Sequence, residues 1–70
     1  MKKITEITIE DARSVFNDGI IFLKEISIFP SGKGANLFFI IGGHKSNKSL
    51  SFDLLTEHQS QKLKELGYEI

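Results

Sequence analysis

The chain has 70 residues, nine Lys and Arg against nine Asp and Glu, and no Cys, for a formal net charge of zero. That length supports one hydrophobic core and no more, and a domain so small buries only about 60% of the surface its unfolded chain exposes. The composition excludes a disulfide staple and a thiolate zinc site, and balanced charge speaks against a dedicated nucleic-acid or polybasic membrane binder, whose footprint is lopsided.

At the N-terminus Met1-Lys2-Lys3 is followed by Glu6, Glu10 and Asp11, which interrupt any apolar stretch before it reaches signal-peptide length. Thr8-Ile9-Glu10-Asp11 then reads as a helix start. The Thr8 hydroxyl is placed to accept from the Asp11 amide, and two acids stand at the positive end of the helix dipole. Ile9, Ala12, Val15 and Phe16 recur at helical spacing, and Asn17-Asp18-Gly19 ends the segment.

From here the period changes to two. Residues 20–29 are rich in Ile and Phe and predict a strand, closed by the turn chemistry of Pro30-Ser31-Gly32-Lys33-Gly34. Residues 35–41 predict a second strand, followed by a Gly42-Gly43 break and a polar loop over 44–48. Residues 49–55 alternate Leu50, Phe52 and Leu54 with polar side chains and predict the third strand. Thr56-Glu57-His58-Gln59 fits a capping box that opens a second helix, whose stripe is Leu55, Leu63 and Leu66 and whose stop is Gly67. Both tails, residues 3–7 and 68–70, are apolar enough for short edge strands. Short connections favour sequential antiparallel pairing. The expectation is a single α+β domain over residues 1–70, of order α-β-β-β-α: a three-stranded antiparallel meander with two flanking helices.

Alternation assigns faces. One face collects Ile20, Phe22, Ile26 and Ile28 with Leu37, Phe39, Ile41, Leu50, Phe52 and Leu54, the natural bed for both helices. Lys24 shares that parity, so a bulge or an edge position is expected near Lys24-Glu25. The opposite face carries Ile21, Leu23, Phe29, Phe38 and Ile40. A solvated face is not built from such residues: either the chain covers it, with helices split over both sides or a terminal strand folded across, or a partner does, and on the second reading this set is the expected partner-binding face.

Between Ile26 and Phe52 there is no acid, while Lys33, His44, Lys45 and Lys48 fall in the expected hairpin loops. They are the candidate anion or nucleic-acid contacts, although neither glycine-containing loop fits the phosphate-loop pattern. The element order is similar to that of double-stranded-RNA-binding domains. Where that family opens its second helix with a lysine cluster, this chain has Thr56-Glu57-His58-Gln59, and residues 30–34 hold no His. RNA binding is therefore not carried over from the likeness.

For catalysis the material is thin. His44 and His58 have no Cys near them and form no His-x-x-x-His pair. Asp53, Glu57 and His58 read as a helix start with its acids rather than as a metal site, and a core this small leaves no room for a deep pocket. No metal, cofactor or enzymatic activity is expected. The longest uncharged apolar run, residues 37–41, is five long, against about 20 for a membrane span. The reading is a cytoplasmic, non-enzymatic protein-interaction module with a protein partner or a second copy (a homodimer), such as a phage- or mobile-element-borne inhibitor of a host or defence protein. The rival class is a small nucleic-acid-binding domain.

Overall fold

The computed structural model describes residues 1–70. Its elements are β1 (Lys2–Lys3), α1 (Ile9–Phe16), β2 (Ile21–Ile28), β3 (Gly34–Ile41), β4 (His44–Ser51), α2 (Glu57–Glu65) and β5 (Tyr68–Glu69). Single 3-10 turns stand at Ile4–Glu6 and Phe52–Leu54. The α+β meander is as expected: β2, β3 and β4 pair antiparallel in sequence order.

Both helices start at the caps their sequences encode. Thr8 Oγ1 accepts from the Asp11 amide at 3.2 Å. At α2 the capping box is complete, with Thr56 Oγ1 accepting from the Gln59 amide and Gln59 Oε1 accepting from the Thr56 amide, both at 3.1 Å. Gly67, at φ +91°, ends α2 in a conformation that side chains with a Cβ resist. The two helices lie on one side of the sheet. Ala12, Val15 and Phe16 of α1 and Leu63 of α2 close over Leu23, Ala35 and Leu37, and Tyr68 completes the core.

The terminal strands add to neither edge of the meander. They pair with each other, parallel, with Lys2 opposite Tyr68, and the Lys2 amide donates to the Gly67 carbonyl at 2.9 Å. Tyr68 is 2% exposed, and its hydroxyl donates to Asp11 Oδ2 at 2.5 Å. Lys2 Nζ lies 3.8 Å from the same carboxylate oxygen and 5.0 Å from the Tyr68 ring centre. First helix, first strand and last strand are thereby tied together without a covalent staple.

A bulge at Lys24 resets which side chains meet the helices. Leu23 stands opposite Phe39 and Glu25 opposite Phe38, so Lys24 has no partner across the ladder. One extra residue inverts the alternation. Ile21 and Leu23 face the helices ahead of the bulge, and Ile26 and Ile28 face them after it, while Phe22 is turned outward. The expected assignment of Ile21 and Leu23 to the outer face, and of Phe22 to the inner, is reversed. The bulge itself was expected, but a single parity had been carried across it.

The third strand also begins earlier than expected. Gly42 and Gly43, at φ +55° and +84°, form a two-residue turn of the kind whose twist matches paired strands, so β4 begins at His44 instead of after a polar loop. It stops where Ser51 Oγ accepts from the Asp53 amide at 3.3 Å and winds the chain into the 3-10 turn. Leu54, expected on the core face, is 77% exposed as a result, and Ile20, in the turn before β2, is 72% exposed.

Gly34 is where backbone approach is closest. A Cβ there would lie 2.2 Å from the Leu50 carbonyl oxygen and 3.1 Å from the Phe29 ring, which packs where a side chain would stand. Backbone cannot yield as a flexible side chain can. Gly34→Ala is therefore expected to destabilise the domain by about 2 kcal/mol or more and to lower Tm by about 10 °C. Thermal denaturation followed by circular dichroism checks this, and an unchanged Tm would show that the β3–β4 pairing is looser than its geometry.

Candidate interaction site

The residues expected to form one partner face are distributed over three places. Leu23 is fully buried and Ile21 half-buried on the helix side. Phe29 lies at the far end of the sheet against Gly34. Phe38 and Ile40 do share the outer face, and Phe22 joins them there, directly opposite Ile40. Phe22 is 43% and Phe38 36% exposed. No element covers this cluster, although Arg13 reaches round β2 and holds its guanidinium carbon 4.7 Å from the centre of the Phe22 ring.

The basic candidates are likewise not loop residues in the main. Lys33 is in the β2–β3 turn, but His44, Lys45 and Lys48 belong to β4. His44 stands opposite Ile41, Lys45 opposite Ile40 and Lys48 opposite Leu37. Alternation sends Lys45 to the outer face and His44 and Lys48 to the helix side, and all three are exposed. Lys33 lies at the opposite end of the sheet from the Gly42-Gly43 turn, so the four do not form one patch.

The two edges of the sheet differ. Along the first half of β2, ahead of the bulge, the backbone is closed. Asp18 and Ile21 exchange amide and carbonyl bonds at 3.1 and 2.7 Å. Asn17 Oδ1 accepts from the Leu23 amide at 2.6 Å, and Arg13 Nε donates to the Leu23 carbonyl at 2.9 Å. Along β4 no element pairs with the free edge, and its side chains from His44 to Ser49 are all exposed.

Beside that edge, on the helix side, lies a cleft of about 690 Å³. Leu37, Phe39, Ile41 and Leu50 form its floor, Val15 and Phe16 its α1 wall, and Lys48, His58 and Lys62 stand round it with Asp18 as its acid. The expectation is no room for a deep pocket, and what the fold has instead is this open cleft. The helices are short and close over Leu23, Ala35 and Leu37, which leaves Phe39, Ile41 and Leu50 only half-buried. The carboxylates and imidazoles do not converge here: no three His, Asp or Glu residues stand close enough together to hold a metal ion. Asp53, Glu57 and His58, close in sequence, are exposed and unclustered.

Sequence reasoning missed both the open edge and the cleft. The Gly-Gly pair, a hairpin signal in its own right, marked the start of β4. The polar residues after it hid the start of the strand, because residues 44–49 are all exposed and a stretch with no buried side chain shows no apolar alternation. No helix is long and apolar enough to cross a membrane. No protein-family model matches the chain, and no curated protein and no solved structure matches it either.

Proposed function

We propose that this domain is a non-enzymatic protein-interaction module that acts by covering a surface of its partner, working in the cytoplasm, an inhibitor of a host or defence protein being one such role. The observation that carries this reading is the cleft with an apolar floor lying directly beside an unpaired strand edge. A small domain that leaves part of its own helix-side face open forgoes burial worth about 25 cal/mol per Å², and a partner can supply it. The scattering of His44, His58, Asp18 and Asp53 supports binding over catalysis, and the separation of Lys33 from the β4 lysines supports a protein partner over nucleic acid.

The test is retention of a specific protein by the tagged domain from a nuclease-treated extract, with retention little changed between low and moderate salt. Loss of all binding on nuclease treatment, or a steep fall with salt, would replace this reading by the nucleic-acid one.

A second reading, self-association, is favoured by the uncovered Phe22, Phe38 and Ile40 cluster on the outer face. If copies meet there, light scattering gives a dimer at micromolar concentration, and the double variant Phe38→Lys with Ile40→Lys gives a folded monomer. A wild-type monomer under the same conditions removes this reading. Unfolding of the double variant would instead place those two side chains in the core.

A further inference from the structure

We propose that the partner contributes an acidic segment in extended conformation, which pairs with the free edge of β4 as a fourth strand and closes the helix-side cleft. This rests on the protein-interaction reading and names the partner's chemistry.

Backbone geometry comes first. A two-residue turn makes the residues flanking it a bonded pair, so Ile41 and His44 bond each other. The same parity directs the amides and carbonyls of Ser46, Lys48 and Leu50 inward to β3. It continues past the strand, where the Phe52 amide donates to the Lys33 carbonyl at 2.9 Å. Lys45, Asn47, Ser49 and Ser51 therefore present their amides and carbonyls outward, alternating donor and acceptor in the pattern that only another strand matches. On β2 the equivalent groups at Ile21 and Leu23 are taken by Asp18, Asn17 and Arg13. The fold closes the first half of the β2 edge with the Asp18 backbone and the Asn17 and Arg13 side chains, and leaves the β4 edge open over its whole length.

Charge then selects the occupant. The strand carries Lys45 and Lys48 and no acid, and Lys62 stands across the cleft, where Asp18 is the one acid. A second copy pairing here would bring four lysines and no acid onto two neighbouring strands, and like charges on neighbouring strands destabilise a sheet where they come opposite each other. A nucleic acid would satisfy the lysines but would meet the outward carbonyls with phosphate oxygens and leave Phe39 and Ile41 uncovered. An extended peptide satisfies all three features. Its backbone takes the edge, an acid on its outer side meets Lys45, a second acid on the helix side meets Lys48, and apolar side chains beside that second acid close over the floor.

The experiment is selection of displayed random octapeptides on the intact domain, followed by fluorescence anisotropy of the synthetic winners. Enrichment of Asp and Glu together with Val, Ile or Phe is expected. Asn47→Pro, which removes an outward amide and leaves the β3 ladder intact, is expected to weaken the winners ten-fold or more. Lys45→Glu with Lys48→Glu, both at exposed positions, is expected to do the same, and this second variant decides the matter if the proline variant does not fold. Winners without acidic residues, winners that bind both variants as they bind the wild type, or no winners at all would overturn the proposal. If winners survive both variants but are lost on Phe38→Lys with Ile40→Lys, the interaction module stands and only the edge is refuted. If the extract test yields nucleic acid alone, the module itself falls.

Discussion

Replacing Tyr68 by Ala is expected to cost about 3–5 kcal/mol and to leave much of the population unfolded at room temperature. A chain of this length holds only on the order of 3–10 kcal/mol of stability. The side chain is 2% exposed and sits in the core with Ala12 and Leu63, so truncation leaves a cavity where α1, α2 and β5 meet. It also frees the chain ends, because β1 has no strand partner except β5. Urea denaturation measures the loss. A variant that unfolds at the wild-type midpoint would mean that the terminal pair contributes nothing.

Tyr68→Phe separates the ring from its hydroxyl. It keeps the packing and removes a hydrogen bond to the Asp11 carboxylate, a bond to a charged group worth about 1.5–3 kcal/mol. It also predicts a pH effect of defined sign. Burial, reinforced by the Asp11 carboxylate that accepts the phenol's proton, raises the Tyr68 pKa above its ordinary value of 10.0. In alkali the unfolded chain ionises first, so this contribution is whole below about pH 10 and is lost as pH rises through the folded value. The denaturation midpoint of the wild type should therefore fall more steeply than that of Tyr68→Phe above pH 10. Parallel curves would show that the phenol is not held neutral by the fold.

The parts of the fold legible in the sequence are those whose signals are local. Thr8 and Thr56 cap helices through residues three positions on, and Gly67 stops α2 through its own backbone, so each could be read without knowing what packs where. The faces of the sheet are not local. Lys24 announced a bulge by its misplaced charge, but where alternation resets depends on the partner strand, and nothing in residues 21–28 states that Leu23 stands opposite Phe39. The interaction site was harder still. An apolar surplus is visible in the sequence, yet two of the five residues assigned to the outer face, Ile21 and Leu23, lie on the helix side. The open region lies on the helix side, because two short helices do not reach β4, and that follows from how Leu63 and Tyr68 dock rather than from any motif. The edge of β4 was hidden because its residues are polar on both faces.

Adjacent residues with opposite roles provide the sharpest test of the bulge. Leu23→Thr is expected to cost at least about 3 kcal/mol, since it removes fully buried apolar volume and sets a hydroxyl in a region without a partner for it. Phe22→Thr is expected to cost about 1 kcal/mol, mainly the stacking of Arg13 on a ring already 43% exposed. Thr suits a strand at both positions, so local propensity cancels and only the face remains. The two melting temperatures should differ by about 10 °C or more, with Leu23→Thr the lower. The reverse order would mean that alternation runs unbroken from residue 20 to residue 28, with Phe22 in the core. The outer cluster would then lose Phe22 and regain Ile21 and Leu23. Equal losses would mean that β2 is buried on both sides, which would close the outer face to any partner and leave the cleft and the β4 edge as the open surfaces of the sheet.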